Sequence, residues 1–315
     1  MGWIANAATR KETSNVGSRL AIRDGSGWLA ICCVGLLLAV MASATVGAEP
    51  SERAGGLFAS DNLVAWCIVP FDARKRSPAE RAEMVRRLGL RRVAYDWRQE
   101  HVPLFEEEIL QYRKQGIEFF AFWDWHDSIE PLIRKHGIRP QIWRTSRSPD
   151  GGSEPERVDA AARAQLDVVN KARDLGLKFG LYNHGGWGGE PQNLIKVCQH
   201  LRQHYGASHV GIVYNFHHGH DAVKNFAADI RAMEPYLLCV NINGMADERS
   251  MKTDPQGNKI LPVGSGTNEA AMLKALLESD YDGPIGILDH EPAVDAEISL
   301  VKNLQGLKKL QKTLD

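Results

Sequence analysis

The sequence predicts a single-domain (β/α)8 barrel, and three observations carry that expectation. Past residue 48, a short β-branched or aromatic run, a polar loop and an amphipathic helix follow one another eight times. The pattern occupies roughly 265 residues, the usual size of such a barrel. Gly89, Gly116, Gly137 and Gly176 each stand between the end of a helical pattern and the start of the next strand, where left-handed caps belong. An open doubly wound sheet is the rival, but it would carry a glycine-rich phosphate turn after its first strand. That position reads VPFDARKRSP, with no glycine.

Taken in order, Leu63–Val69 is the first strand, with a helix over Pro78–Leu88. Arg92–Tyr95 and a helix over Pro103–Gln115 form the second unit, and Ile117–Phe122 with Ser128–His136 the third. The short run Pro140–Trp143 leads into one long helix, Glu154–Leu175. Lys178–Tyr182 precedes a helix over Pro191–His204, with proline suited to its first turn. Val210–Tyr214 precedes Asp221–Met233, and Leu237–Ile242 precedes a long irregular stretch, Asn243–Thr267, before the helix Asn268–Leu277. A loop that long in a compact domain is usually functional or mobile. Pro284–Leu288 is the eighth strand and Val294–Leu310 the closing helix.

Residues 1–48 differ from the rest. Arg10, Lys11, Arg19 and Arg23 lead into the uncharged run WLAICCVGLLLAVM at Trp28–Met41, then small residues ending Val46-Gly47-Ala48. That order reads as a secretory signal cut after Ala48, giving an exported protein in the periplasm or outside the cell; an uncleaved anchor over residues 27–48 is the alternative. The barrel domain is then residues 49–315. Beyond the leader the chain carries a net charge of −3 and three cysteines, Cys67, Cys198 and Cys239, each in an apolar run as buried free thiols are. With 38 basic against 39 acidic residues and no Lys/Arg block, nucleic acid is excluded as a partner. Nothing in the barrel predicts stable membrane insertion, and a small-molecule substrate is expected.

In a barrel the chemistry sits at the carboxyl ends of the strands. Five tryptophans fall there, at 97, 123, 125, 143 and 187, and an indole face suits a sugar ring. Five histidines, 184, 217, 218, 220 and 290, gather at the ends of strands five, six and eight. The stretch LYNHGGWGGEP follows strand five, where four glycines let backbone approach a ligand or let Trp187 fold over it.

The segments FGLYNHGG, VGIVYNFHHGH, LCVNINGM, LPVGSG and YDGPIGILDHE, in that order, resemble the xylose isomerase-like TIM barrel superfamily of sugar (phosphate) isomerases and epimerases, over about residues 63–310. The resemblance implies one divalent metal held by Glu, Asp, His and Glu at the ends of strands five to eight. Those positions carry Tyr182, Asn215, Asn241 and Leu288 here. A hard cation wants charged oxygens, so the expectation is that the family's metal is not bound and that any cofactor is unknown. A softer ion gathered by the histidines is the alternative, without a helical His spacing to support it. The family's substrate-contacting histidine does match, at His218.

The leading expectation is a secreted isomerase- or epimerase-type enzyme acting on a carbohydrate or keto-sugar by proton transfer. His218 and His184 are the expected bases, with Asp124 and Asp289 as acids or orienters. Trp187, Asn183, Asn215, Asn241, Asn243, His290, Trp125 and His126 are the expected substrate contacts. Two other classes stay open: a non-catalytic carbohydrate-binding barrel, and a glycoside hydrolase or lyase using a carboxylate pair such as Asp124 with Asp289.

Overall fold

A computed structural model describes residues 56–247 and 259–314. The leader 1–48 and the middle of the Asn243–Thr267 stretch lie outside the described residues.

Eight strands form in the expected order: β1 (Leu63–Trp66), β2 (Arg92–Tyr95), β3 (Glu118–Trp123), β4 (Gln141–Thr145), β5 (Phe179–Tyr182), β6 (Val210–Asn215), β7 (Leu237–Ile242) and β8 (Ile285–Leu288). All pair in parallel, and β1 meets β8 from Leu63↔Ile285 to Trp66↔Leu288, so the sheet closes into a ring in the order β1-β8-β7-β6-β5-β4-β3-β2. Closure leaves no sheet edge to protect. A two-residue antiparallel ladder, Gly244–Met245 with Ile260–Leu261, stands beside the ring after β7.

The crossovers run through α1 (Pro78–Arg87), α2 (Phe105–Lys114), α3 (Ile129–His136), the pair α4 (Glu154–Arg163) and α5 (Leu166–Asp174), α6 (Pro191–His204), α7 (Phe226–Met233), α8 (Glu269–Leu277) and the final α9 (Ala296–Gln311). Local sequence sets several starts. At α1, Ser77 Oγ accepts from Glu80 N while the Glu80 carboxylate accepts from Ser77 N at 2.9 Å, a reciprocal cap that satisfies two otherwise orphaned amides. Ser153 and Glu156 repeat it at α4. Gly89, Gly116, Gly137 and Gly176 all have positive φ and end helices as expected.

Three elements depart from expectation. The long helix over Glu154–Leu175 breaks at Ala164–Gln165, where the Gln165 side-chain amide donates to the Thr145 carbonyl at 3.0 Å. The starts expected at Pro103 and Asp221 are tight 3-10 turns, over Gln99–Leu104 and His220–Asn225, that become α-helix only at Phe105 and Phe226. The first strand ends at Trp66 because Cys67 takes φ 63°, a left-handed conformation uncommon outside glycine.

Two cores result. Val64, Ala94, Phe120, Trp143, Val213 and Cys239 fill the interior of the ring. The larger core lies between ring and helices, with Tyr95, Phe105, Phe122, Phe179 and Phe226 among its fully buried side chains. Buried charge ties the first barrel unit to the last. Arg76 contacts Asp72 at 2.7 Å and Asp295 at 2.6 Å, and Asp72 also accepts from Ala296 N at 3.2 Å, so the loop after β1 is pinned to the start of α9. Cys67, Cys198 and Cys239 are buried and free. No described helix is long and apolar enough to cross a membrane.

Candidate active site

Side chains of β1, β3, β5, β6 and β8, with the loops after β1, β2, β5, β6 and β8, line a cavity of about 500 Å3, its open mouth included, at the carboxyl end of the ring. Its aromatic wall is built by alternation, because every second strand residue faces inward. Trp66 of β1 and Trp123 of β3 lie 5.7 Å apart by ring centroids, and Tyr182 of β5 meets Trp123 edge-on at 4.8 Å. Trp66 Nε1 donates to the Tyr182 hydroxyl at 3.2 Å, and Asn215 Nδ2 donates to the same oxygen.

The imidazoles stand together above this wall. After β6, Asn215 Oδ1 accepts from His217 N at 3.0 Å, and the turn it makes presents two successive histidines. His218 lies 4.2 Å from His217 and 4.3 Å from His184 between ring centroids, and His217 lies 5.4 Å from His290, which stacks on Phe71 at 4.0 Å. Burial first, then the neighbouring imidazoles, hold His218 down at about 2 and His217 at about 3, and burial also lowers His290. His217 and His218 are therefore uncharged at neutral pH.

Asp96, the residue after β2, is the carboxyl that reaches the cavity. It is 2% exposed, and neither oxygen has a hydrogen-bond partner. The Cys67 thiol and the Val69 amide lie beside it without full hydrogen-bond geometry. Burial pushes its proton affinity up to about 7, with Arg98 at the cavity wall opposing.

Of the expected site residues, His184, His218, Asn215 and His290 line the cavity. The other eight do not, each for a physical reason. Asp124 holds φ 53° on the outer rim, half-exposed and paired with Arg144 at 3.0 Å. Asp289 is fully buried between Leu288 and His290, with its carboxyl beside Ser299 of α9 rather than in the cavity; burial first, then nearby Glu291 and Asp96, raise it to about 8. The expected Asp124–Asp289 carboxylate pair therefore does not form. Asn183 is a staple, donating to the Asn215 carbonyl at 3.0 Å and accepting from its amide at 2.7 Å. Asn241 lies fully buried over Gly286 of β8, and Asn243 is turned onto Gly244 and Met245. Trp125 donates to Asp127 at 3.0 Å under Lys171. His126 accepts from Ser128 N and packs on Trp97. Trp187 folds outward, its ring 4.5 Å under the Arg157 guanidinium.

Asp96, Arg98, Phe71 and Trp66 line the cavity without having been expected there, and Trp123 and His217, legible in the tryptophan and histidine clusters at the strand ends, had no assigned role. Asp96 carried the same rim signal as Asp124. Side-chain direction at a strand end separates the two, and that comes only with coordinates.

The four positions that the resemblance aligns with cation ligands hold a phenol already bridging two partners, two amides and an alkyl chain. Asn215 is engaged at both side-chain ends, by Tyr182 and by His217 N. This donor set does not fit a hard divalent cation. Among the described residues, no three His, Cys, Asp or Glu side chains form a group able to hold a metal.

The ring, the cavity at its carboxyl end and the order of the segments define a sugar isomerase-like barrel. The chain belongs to the xylose isomerase-like TIM barrel family, whose model matches residues 132–310. No curated protein matches the chain. Among solved structures it is similar to the IolI protein with a bound zinc atom (TM-score 0.59, 10% identity, covering 80% of this chain and 99% of that one). It is similar also to the 3-keto-D-glucoside 4-epimerase YcjR from E. coli (TM-score 0.59, 14% identity, 80% and 99%). The D-psicose 3-epimerase from Clostridium cellulolyticum, solved with D-tagatose, is a third (TM-score 0.53, 10% identity, 80% and 99%). At such identities the likeness is one of fold.

Proposed function

We propose that this protein is a proton-transfer enzyme of isomerase or epimerase type, acting on a carbohydrate or keto-sugar without the family's divalent cation. The observation that carries the reading is Asp96, a carboxyl walled into the cavity beside uncharged imidazoles, with a proton affinity near neutral pH. As the carboxylate it takes the proton from a carbon next to a carbonyl. The C–H electron pair becomes the double bond of the enolate, and the carbonyl oxygen takes up the negative charge. N–H groups of His184 and His218 donate to that oxygen, and for His218 it is the uncharged imidazole that does so. Held near 2, His218 is a poor base, so its expected role passes from base to hydrogen-bond donor. The indole faces of Trp66 and Trp123 receive the apolar face of the sugar ring, with Arg98 and His290 at the polar wall.

The test is solvent-proton exchange. A panel of aldoses, ketoses and keto-sugars incubated with the protein in deuterated water should take up deuterium at a carbon next to the carbonyl. Asp96→Asn should lower the rate by at least about a hundredfold, the ordinary worth of a general base. Sugar binding without exchange would instead support the carbohydrate-binding barrel, which the aromatic wall also suits. Metal content is a separate check: purified protein is expected to carry well under one Mn, Mg or Zn per chain and to keep its exchange activity in a chelator. Residues 1–48 fit this reading as an export leader or anchor, and an N-terminus found at Glu49 on protein recovered from the exported fraction would bear out cleavage.

A further inference from the structure

A second recess opens beside the reaction cavity, about 920 Å3 with its open mouth, between the glycine loop after β5 and the turns after β6. His218 lines both spaces, so a single imidazole is the wall they share. The glycines singled out in LYNHGGWGGEP shape one side of the recess. Gly188 packs so closely on the chain after β4 that a β-carbon would meet the Ser146 carbonyl oxygen at 2.6 Å, and its amide donates to Ser148 Oγ at 2.8 Å. Gly185, Gly186 and Gly189 thereby present bare backbone to the recess. Across from them, a β-carbon on Gly219 would collide with the Tyr214 hydroxyl, so glycine there brings the chain down onto that group.

The polar chemistry has one sign. Glu190, Asp221 and Asp229 line the recess, and no Lys or Arg does. Glu190 accepts from Asn193 at 2.8 Å and Asp229 from Gln192 at 3.4 Å, and none of the three makes an ion pair among the described residues. A separate observation points to a ligand. Tyr214 is fully buried, lines the recess, and its hydroxyl has no hydrogen-bond partner. A buried hydroxyl left unpaired costs free energy that a ligand can recover.

We infer that the recess is a second saccharide subsite and that the preferred substrate is a neutral glycoside of two sugar units. One unit sits in the reaction cavity, the glycosidic link passes His218, and the second unit lies between the glycine loop and the 216–229 segment. Sugar hydroxyls donate to the three carboxylates, and one of them pairs with the Tyr214 hydroxyl. Phosphorylated or carboxylated second units are repelled by the same carboxylates. The inference rests on the proton-transfer reading for what happens in the first cavity, and on the recess alone for the size of the ligand.

The experiment uses the full chain and three neutral reducing disaccharides, cellobiose, maltose and lactose, against glucose and fructose, with binding read by calorimetry and chemistry by deuterium uptake. At least one disaccharide should bind about tenfold or more tighter than either monosaccharide. Tyr214→Phe removes only an unpartnered hydroxyl, so folding survives it, and it should cut that disaccharide's affinity about three- to tenfold. Ala222→Trp, at the mouth, should bring the disaccharide-to-monosaccharide ratio close to one. Equal affinities in the unaltered protein, or a ratio untouched by both variants, would overturn the subsite. So would binding of calcium from calcium chloride with no disaccharide preference. Deuterium uptake on monosaccharides with no disaccharide gain sinks the subsite alone. A disaccharide preference without uptake keeps the subsite and removes the proton-transfer reading, and no binding of any sugar overturns both.

Discussion

Asp96 and Asp124 show how much two aspartates after neighbouring strands can differ. Both follow an aromatic strand residue and precede tryptophan. Asp124 turns out to the rim and neutralises Arg144; Asp96 turns in, loses its water and finds no partner. The difference predicts a pH profile. Because Asp96 releases its proton near 7, exchange activity should climb between about pH 6 and 8 and level off above, as the carboxylate form fills. His217 and His218 stay uncharged through that range and add no limb of their own. An activity profile flat from pH 5 to 9 would remove Asp96 from the role of base. Tyr182 gives a second prediction at this scale. Its hydroxyl accepts from both Trp66 and Asn215, so Tyr182→Phe leaves two buried donors unpaired and should destabilise the protein by about 1–3 kcal/mol in denaturant unfolding.

At the scale of elements, strands and helices were legible because each rests on local signals: alternating apolar runs, a Ser-Pro-x-Glu cap at α1, glycine after a helix. The misreadings fall where a distant contact overrides the local preference. Glu154–Leu175 has helical periodicity throughout, yet Gln165 leaves it to reach the Thr145 carbonyl in the chain ahead. The glycine loop after β5 was legible as a close approach of backbone, but what it approaches was not. It packs on the loop after β4, and Trp187 leaves the site to lie under Arg157. Gly188→Ala should therefore cost about 1–3 kcal/mol of stability, since its β-carbon meets two backbone carbonyls that cannot step aside. Thermal unfolding checks this, and an unchanged midpoint would show that the loop yields.

At the scale of the whole molecule, the buried titratable groups around the cavity set a pH window for folding. Asp96 and Asp289 have native proton affinities raised to about 7 and about 8, so the stability tied to their protonated forms is full below about 4 and lost as pH rises through those values. His217 and His218 are lowered to about 3 and about 2, so stability tied to their neutral forms is full above about 6.5 and lost as pH falls. Between about pH 4 and 6.5 the two pairs slope in opposite directions and offset, so these four groups predict a plateau there, with a fall on either side. Asp96→Asn should remove the downward slope that this carboxyl contributes between about pH 4 and 7 and make the protein more stable than the unaltered chain at pH 8, by a difference on the order of 4 kcal/mol at most. Chemical denaturation at pH 5 and pH 8 measures it; equal slopes for both proteins would refute the burial argument.

The alternation of strands and helices, the ring they form and the sugar isomerase-like family were all determined by the sequence alone, because period, caps and segment order are properties of neighbours in the chain. So was the mismatch at Tyr182, Asn215, Asn241 and Leu288, which needs only residue type. Tertiary structure alone decided which rim residues share a space. Closing the ring turns successive side chains alternately inward and outward. That geometry placed four expected residues, together with Asp96, Arg98 and Trp66, on one cavity and sent Trp187, Asp124 and His126 to contacts elsewhere. It also set the proton affinities, since burial and neighbouring charge are consequences of packing and not of composition.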